Sequence, residues 1–479
     1  EEMNSTPYID GEWISADGMD QMEVHDPATR EVVGSYARGT RAHVRRAISA
    51  AHGAFPEWSG RIPRARARLL SEAAARLRTN ADALAVAVTR ENGKPLAESR
   101  GEVEGVAAHF EWFAEEGCRA YGRIVPPGAP GKRHLVIRVP VGVAGCIAPW
   151  NFPLVLWARK VAPALAAGCT VVARSASQTT LCTMQATEYI ADLFPPGVLN
   201  LVTGDAREVS AELLENPLCR KVSFTGSTAA GQELLRKGAD SIAHLSLELG
   251  GHGPGIVFPD ADLEVATEGI MGAKFRNGGR SCIAINRVFL HRDIAEEMTR
   301  RLVEATSALK VGNGLEDGVD IGPLIDEGAV ETFIGHVKNS VEGGGRIECG
   351  GQRITGNGYD AGFFVTPTVI SNVADTMLCM CDETFGPLLP ITIFDTLDEV
   401  VERANNSPYG LAAYAFTSNL ETALVMGERL EAGTIGINDA VPSTTVAPFG
   451  GMKQSGLGRE CGAEGLDAFL ETKHVSIKL

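Results

Sequence analysis

The sequence predicts an α/β fold that contains two separate, mainly parallel sheets. From residue 142 to 250, short apolar segments alternate with helical stretches, with about one strand every 25 residues. A second series of apolar segments lies between residues 288 and 438. Residues 41–122 instead show helical periodicity and are rich in Ala, Arg, Leu and Glu. We therefore expect a helical beginning followed by two sheet-containing domains.

Local patterns place the individual elements. PYIDGEWI (7–14) predicts a strand, and residues 41–122 predict three helices. YGRIVPPGAPGKRHLVIRVP (121–140) predicts a hairpin marked by Pro and Gly that belongs to neither sheet. The first series of strands is predicted in GVAGCIAPW, TVVAR, LNLVTG, KVSFTG and HLSLELGG, and the second in VFLH, TPTVIS, LPITIF, AAYAFTS and GTIGIN.

Composition limits the class of protein. A chain of 479 residues exceeds one ordinary core, so we expect two or three structural units. The net charge of −16 argues against a nucleic-acid partner or an anionic membrane surface, because both would repel the protein. The ten cysteines are scattered, which favours neither a disulfide framework nor a metal site and fits a reducing cytoplasm. We also see no signal-peptide pattern and no apolar run long enough to span a bilayer.

Three segments carry residue types suited to covalent catalysis. Cys282 ends FRNGGRSC (275–282), where Gly278 and Gly279 let the chain turn after a predicted helix. Glu248 lies in LELGG at a strand end, and Asn151 lies in PWNFP (149–153). A thiol nucleophile, an amide donor for an oxyanion and a carboxylate base would suit acyl chemistry. Taken singly, each has a structural explanation: a buried thiol, a strand-end ion pair and a turn asparagine.

Together with motifs from GEWI (11–14) to PFGGMKQSGLGRE (448–460), these segments resemble the aldehyde dehydrogenase superfamily. The resemblance implies a Rossmann-type cofactor domain, an α/β catalytic domain and a β-hairpin oligomerisation arm. The implied boundaries are 1–120 and 141–250 for the NAD(P)-binding domain, 251–440 for the catalytic domain, and 121–140 with 466–479 for the arm. A homodimer or homotetramer is then expected.

The resemblance also implies roles for the three residues. Cys282 would attack an aldehyde, the Asn151 amide and the Cys282 N–H would hold the oxyanion, and Glu248 would activate water to hydrolyse the thioester. Relatives that transfer the acyl group to coenzyme A lack a glutamate at the position of Glu248. A hydrolytic enzyme, with no metal, is therefore expected.

The cofactor is expected to bind near FTGSTAAG (224–231), which resembles the family's pyrophosphate loop. The residues expected to contact it are Trp150, Arg174, Ser177, Gly226, Ser227, Leu249, Glu383 and Phe385. Many relatives have Lys-Pro-(Ser/Ala)-Glu where this chain has residues 174–177, Arg-Ser-Ala-Ser. A glutamate would repel a 2′-phosphate, whereas Ser177 can donate a hydrogen bond to it and Arg174 can pair with it. NADP is therefore favoured, with NAD left open.

Arg159, Arg276 and Ser443 match positions that hold the distal carboxylate in succinate semialdehyde dehydrogenases. The resemblance thus implies oxidation of succinate semialdehyde to succinate. Two alternatives stay open: an NAD-linked enzyme for uncharged aldehydes, and a non-catalytic scaffold of the same fold. The chain also departs from the family pattern at Arg280, where Gln is common, and at His252, Gly253 and Ala284. The effect of these departures stays open.

Overall fold

The computed structural model describes residues 5–479. In chain order the first elements are β1 (Tyr8–Ile9), β2 (Glu12–Trp13), β3 (Gln21–His25), β4 (Val32–Ala37), α1 (Arg41–Gly60), α2 (Pro63–Thr79), α3 (Ala81–Asn92) and α4 (Leu96–Glu116). The single strand predicted for residues 7–14 is wrong, because the segment folds into β1, a turn and β2. Asp10 and Gly11 both have positive φ, 58° and 85°, which suits a tight hairpin turn.

Four helices, rather than the three predicted, fill residues 41–116. Asn80 alone separates α2 from α3, and its φ of −102° and ψ of 19° are not helical. Gly93 then ends α3 in the left-handed region, and Pro95 precedes α4. A break of one residue hardly disturbs the apolar periodicity, so the sequence pattern does not reveal it.

The middle of the chain forms a hairpin and the first sheet. Its elements are β5 (Arg123–Val125), β6 (Lys132–Pro140), β7 (Val143–Ile147), α5 (Pro153–Ala167), β8 (Thr170–Arg174), α6 (Thr180–Ile190), β9 (Leu199–Val202), α7 (Ala206–Glu215), β10 (Cys219–Thr225), α8 (Thr228–Gly238) and β11 (His244–Glu248).

The rest of the chain forms the second sheet and returns to the first. Its elements are β12 (Gly253–Val257), α9 (Leu263–Phe275), β13 (Ile285–His291), α10 (Ala295–Ser307), α11 (Glu327–Glu342), β14 (Arg346–Cys349), β15 (Thr368–Ser371), α12 (Leu378–Cys381), β16 (Leu388–Phe394), α13 (Leu397–Asn405), β17 (Ala412–Phe416), α14 (Leu420–Arg429), β18 (Thr434–Ile437), β19 (Gly456–Leu457), α15 (Gly462–Asp467) and β20 (Leu470–Lys478).

The strand order confirms the α/β fold class. The first sheet has the order β19-β11-β10-β7-β8-β9-β1-β2, with β7 to β11 parallel. The second has the order β14-β15-β16-β13-β12-β17-β18, parallel except at β14. Helices bury large side chains against each sheet, such as Trp58, Phe110 and Trp157 in the first unit and Phe333 in the second.

The sequence patterns did not predict β3, β4, β12, β14 and β19. β12 lies in the middle of the second sheet, although its sequence GPGIV looks like a turn. A Cβ on Gly253 would lie 2.9 Å from the Ala284 oxygen, so the glycine allows this close approach. β19 brings the chain after residue 440 back to β11, where it pairs antiparallel.

The hairpin β5–β6 and the C-terminal strand β20 form a separate antiparallel sheet. β20 pairs with β6 along its whole length, from Leu470 opposite Pro140 to Lys478 opposite Lys132. Within residues 5–479, no helix is both long and apolar enough to cross a membrane. In that same range, no group of three or more His, Cys, Asp or Glu side chains could hold a metal ion. All ten cysteines are free.

Candidate active site

Cys282 lies on a tight loop between α9 and β13. After α9, Asn277, Gly278 and Gly279 all take positive φ angles of 51°, 60° and 80°. A Cβ on Gly279 would lie 2.2 Å from the Gly386 oxygen, so only glycine fits there. The loop leaves Cys282 half-buried rather than packed in the core.

The surroundings of Cys282 disfavour its thiolate form. Burial raises its pKa well above the ordinary value, and the carboxyl groups of Glu248 and Glu383 raise it further. Arg159 acts in the opposite direction but does not outweigh them. Since the thiolate is the nucleophile, the site needs a group that accepts this proton.

Asn151 is held against the same loop. Its Nδ2 donates to the Arg280 carbonyl oxygen at 3.1 Å, two residues before Cys282. Its own carbonyl oxygen accepts from Lys94 Nζ at 2.7 Å and from Asn277 Nδ2 at 2.8 Å. The structure therefore brings Asn151 and the Cys282 loop together, although about 130 residues separate them.

Arg280, whose effect the sequence left open, is fully buried beneath this loop. Its guanidinium donates to the Asn92 oxygen at 2.8 Å, to the Asn277 oxygen at 2.9 Å and to Asn277 Oδ1 at 2.7 Å. Burial lowers its pKa to about 10, which still leaves it charged at neutral pH. Arg280 thus ties the end of α3 to the loop, and no sequence motif indicated this role.

Glu248 ends β11 and is buried. Its Oε2 accepts a hydrogen bond from Thr225 Oγ1 at 2.8 Å, and its Oε1 lies 3.9 Å from Arg159 Nη1. Burial raises the pKa of Glu248 and the nearby Glu460 carboxylate raises it further, whereas Arg159, Lys160 and Thr225 lower it. The net shift is upward, which suits a group that takes up a proton.

A buried network behind Glu248 was missed by the sequence reasoning. Lys160 Nζ donates to Thr225 Oγ1 at 2.6 Å and also bonds Glu460. Lys160 and Arg159 lower the pKa of Glu460 more than its burial raises it. Glu460 is the last residue of the motif PFGGMKQSGLGRE (448–460). That motif could have indicated a role for Glu460.

The predicted pyrophosphate loop lies between β10 and α8. Ser227 is the N-cap of α8, and its Oγ accepts from the Ala230 N–H at 3.3 Å. A Cβ on Gly226 would lie 2.3 Å from the Phe224 ring, so the loop needs glycine. The amide groups at this helix start suit an anionic ligand such as a diphosphate.

Residues from the second unit face this loop. Glu383 Oε1 accepts from the Gly251 N–H at 3.3 Å, close to Leu249, and burial raises the Glu383 pKa to about 8. Phe385 has a φ of 51°, and its ring meets that of Trp150 edge-on at 5.6 Å. Glu383 and Phe385 of the second unit thus contact Gly251 and Trp150.

Arg174 and Ser177 lie at the end of β8. Arg174 is buried, and its Nη2 donates to the Gly204 oxygen at 3.3 Å and to Ser177 Oγ at 3.5 Å. Its Nε has no hydrogen-bond partner among the described residues. Ser177 itself is exposed, so its hydroxyl is accessible to a ligand.

The three predicted substrate residues line one cavity of about 740 Å³. Arg159 Nη2 donates to Ser443 Oγ at 2.8 Å, and the guanidinium lies 4.7 Å from the centre of the Phe449 ring. Arg276 lies 4.8 Å from the centre of the Phe152 ring. A small anion between the arginines would meet two positive charges.

Comparison with known proteins identifies the family of this chain. The model of the aldehyde dehydrogenase family matches residues 13–475. The chain belongs to the aldehyde dehydrogenase family. It is 43% identical over 473 residues to glutarate-semialdehyde dehydrogenase of Pseudomonas putida, covering 98% of this chain and 97% of that one.

Two further proteins are similar to this chain over nearly its whole length. Succinate-semialdehyde dehydrogenase [NADP(+)] of Escherichia coli is 43% identical over 472 residues, covering 98% of this chain and 97% of the relative. The crystal structure of succinate-semialdehyde dehydrogenase from Burkholderia pseudomallei superposes with a TM-score of 0.97 at 41% identity. It covers 100% of this chain and 98% of that one.

Proposed function

We propose that this member of the family oxidises an acidic aldehyde, succinate semialdehyde above all, to the corresponding acid through a thioester on Cys282. The observation that carries the proposal is that Asn151 is bonded to the Cys282 loop, and that Arg159, which lines a cavity together with Arg276, lies 3.9 Å from the Glu248 carboxylate. The residue types of Cys282, Asn151 and Glu248 match the nucleophile, the oxyanion donor and the base of acyl chemistry.

In the first step, the Cys282 proton passes to a base and the sulfur attacks the aldehyde carbon. A C–S bond forms, and the carbonyl π electrons move to the oxygen. The Asn151 amide and the Cys282 N–H would donate hydrogen bonds to that oxyanion. NAD(P)⁺, when bound, accepts the hydride that leaves this carbon, and the thioester remains on Cys282.

In the second step, Glu248 takes a proton from water, and the hydroxide adds to the thioester carbon. The C–S bond then breaks, the acid leaves, and the sulfur regains a proton. Thr225 and Lys160 connect Glu248 to Glu460 through hydrogen bonds that hold the Glu248 carboxylate in position. The raised pKa of Glu248 makes it a better proton acceptor than an ordinary carboxylate.

The residues present fit NADP. The start of α8 can accept the diphosphate, and Glu383 with the Trp150 and Phe385 rings would border the nicotinamide end. Ser177 and Arg174 supply donors, without an acidic group between them, for a 2′-phosphate. One E. coli relative carries NADP(+) in its name, which supports the same choice.

Arg159 and Arg276 would hold the distal carboxylate of the substrate. Burial lowers the Arg159 pKa, but nearby Cys461, Glu248 and Glu460 raise it above its ordinary value, so it stays charged. Its Nε has no partner among the described residues and remains available. Relatives named for succinate and glutarate semialdehydes support an acidic substrate.

The test compares Arg159→Gln and Arg276→Gln with the parent on succinate semialdehyde and on butanal. Arg159 is mostly buried, and losing one partner of a buried charge pair costs about 2–5 kcal/mol, so Arg159→Gln should lower kcat/KM for the acid far more than that for butanal. Arg276 is exposed, so Arg276→Gln should show the same contrast with a smaller loss. Arg64→Gln, an exposed arginine on α2, is the control and should change neither. Equal losses on both aldehydes, or a parent enzyme that prefers butanal, would contradict the acidic-substrate proposal.

We also propose that the sheet of β5, β6 and β20 joins subunits into a homodimer or homotetramer, and that the enzyme works in the cytoplasm. β5 presents an exposed edge with Ile124 on it, and the free thiols fit a reducing compartment. Light scattering of a chain that ends before residue 470 should give a smaller assembly than the parent. An unchanged mass would argue against subunit association through β5, β6 and β20. Cell fractionation tests whether the enzyme is located in the cytoplasm.

A further inference from the structure

Cys461, the residue that follows Glu460, has a backbone conformation that normally belongs to glycine. Its φ is 57° and its ψ is 177°, and it lies fully buried just before α15. This part of backbone space is almost restricted to glycine, so a residue with a side chain is strained there. Such strain persists only where the surrounding structure favours the side chain. We therefore looked for the contact that the Cys461 thiol makes.

The thiol contacts His109 on α4. Cys461 Sγ lies 3.5 Å from His109 Nε2, and both side chains are buried. The other ring nitrogen, Nδ1, lies 2.6 Å from the Gly105 carbonyl oxygen, which can only accept a hydrogen bond. Nδ1 therefore carries the proton of the neutral ring, and Nε2 accepts from the Cys461 thiol.

Both partners of this hydrogen bond are uncharged at neutral pH. Burial lowers the pKa of His109 to about 3, and the charge of Arg159 acts in the same direction. Burial raises the pKa of the Cys461 thiol to about 11, although Arg159 opposes this shift. The thiolate is the reactive form of cysteine, so Cys461 is a poor nucleophile and serves here as a hydrogen-bond donor.

The turn that contains Cys461 determines where Glu460 points. On one side, the backbone of Glu460 pairs with that of Phe449 through two hydrogen bonds of 2.7 Å. On the other side, the Cys461 thiol ties the turn to α4. Between these two attachments the Glu460 carboxylate bonds Lys160, which is connected through a threonine to Glu248. A displaced turn would therefore disturb the groups that hold Glu248.

We propose that Cys461 is a positioning residue for hydrolysis of the thioester. Its hydrogen bond to His109 holds the strained turn, and the turn places the Glu460 carboxylate against Lys160. This inference rests on the proposed function, because the position of Glu460 affects turnover only if Glu248 activates water. Glycine would fit the backbone at position 461 without strain but could not make this bond.

The pKa of Glu248 gives a readout that reports the position of Glu460. Burial raises this pKa and the Glu460 carboxylate raises it further, whereas Arg159 and Lys160 lower it. If Glu460 moves away from Lys160 and Glu248, the pKa of Glu248 should fall. The titratable and charged groups that surround Glu248 are Glu460 and Cys461 near α15, Arg159 and Lys160 on α5, and Cys282.

The test compares Cys461→Gly, Cys461→Ala and Cys461→Ser with the parent on succinate semialdehyde. Glycine removes the strain and the bond, alanine keeps the strain without the bond, and serine keeps a donor for His109. Glycine and alanine should each lower steady turnover by about tenfold, because a small displacement of a catalytic group is costly. In both variants the acid limb of turnover should move to lower pH, and NAD(P)H should form in the first turnover at the parent's rate. Serine should recover most of the turnover.

Further variants separate the hydrogen bond from the strain. Cys461→Gly should unfold at a higher temperature than Cys461→Ala, which shows that its loss of turnover does not come from instability. His109→Leu should cause the same loss, and the double variant with Cys461→Gly should lose little more, because both changes remove one bond. Asn357→Gly relieves a positive φ of 49° at an exposed residue and is the matched control, which should change neither turnover nor its pH dependence.

A Cys461→Gly enzyme with the parent's turnover and acid limb would overturn the inference, since the thiol would then only fill space. A first turnover slowed as much as steady turnover, or no recovery with serine, would also overturn it. Each of these results leaves the proposed function in place. Loss of the NAD(P)H burst in Glu248→Gln would instead contradict the role of Glu248 in the proposed function.

Discussion

Around Cys282 the chain is held by a dense set of buried hydrogen bonds, whereas the cavity beyond Arg159 is bordered by glycines with empty space in front of them. At the inner end, Arg280, Asn277, Asn151 and Lys94 bond one another's backbones and side chains at 2.7–3.1 Å. At the outer end, a Cβ added to Gly272 would meet nothing within 4 Å.

The difference between the two regions separates the covalent chemistry from the choice of substrate. Covalent chemistry needs reacting groups held to a fraction of an ångström, and buried polar networks provide such rigidity when every member is paired. Choice of substrate is set by shape and by a few charges, so it can change without disturbing the loop. Variants at the inner end should therefore alter rate on all aldehydes, and variants at the outer end should alter preference.

The largest effect is expected for Cys282→Ala at the inner end. Dehydrogenase activity should fall by several orders of magnitude, because the variant lacks the nucleophile, while cofactor binding measured by calorimetry stays intact. Cys381→Ala, which changes an exposed thiol, should remain active. Substantial activity in pure Cys282→Ala would refute covalent catalysis by this residue.

Glu248→Gln should lower steady turnover by about 10²–10⁴-fold but keep a burst of NAD(P)H, because hydride transfer precedes water attack. The base must be deprotonated, and its pKa is raised. The parent's turnover should therefore fall, as pH decreases, at a higher pH than the pKa of about 4.3 of an ordinary glutamate. This acid limb should be absent in Glu248→Gln. Loss of the burst together with turnover would show that Glu248 acts before deacylation.

Arg280→Met should test whether the buried network sets the rate. Each acceptor left unpaired costs about 1–3 kcal/mol, so thermal unfolding should occur at a lower temperature. A small displacement of the loop should lower kcat by up to about 10²-fold on acidic and uncharged aldehydes alike. Arg280→Gln, which keeps two donors, should recover part of both losses. A loss of activity on only one class of aldehyde would contradict the expectation that this network affects the rate with all substrates.

The smallest effect is expected at Ser177, the exposed residue that we propose binds the cofactor. Ser177→Glu should shift the ratio of kcat/KM values from NADP toward NAD by roughly tenfold, which corresponds to about 1.4 kcal/mol. The carboxylate repels a 2′-phosphate but accepts hydrogen bonds from free ribose hydroxyls. Ser177→Thr keeps the hydroxyl and should leave the ratio unchanged. An unaltered ratio in the glutamate variant would remove the main support for NADP.

Local patterns were sufficient where the signal lies within one element. The alternation of apolar strands and helices predicted the parallel strands β7 to β11, because β7, β8 and β9 are continuous buried runs and β10 is largely buried. Local patterns did not predict the helix break at Asn80 or the strand β12. One non-helical residue and a glycine-rich strand look ordinary until neighbouring elements pack against them.

The sequence by itself determined the α/β fold class and the residue types of the chemistry, since motifs such as FRNGGRSC are short and contiguous. Only the tertiary structure decided which groups Arg280 contacts and how Lys160 and Glu460 bond near Glu248. It also decided the volume of the cavity between α4 and α9. The contacts of Arg280 with Asn92 and of Lys160 with Glu460 join residues 188 and 300 positions apart. A local pattern cannot encode such pairs, because their energy arises from burial and partners that exist only after the elements have packed.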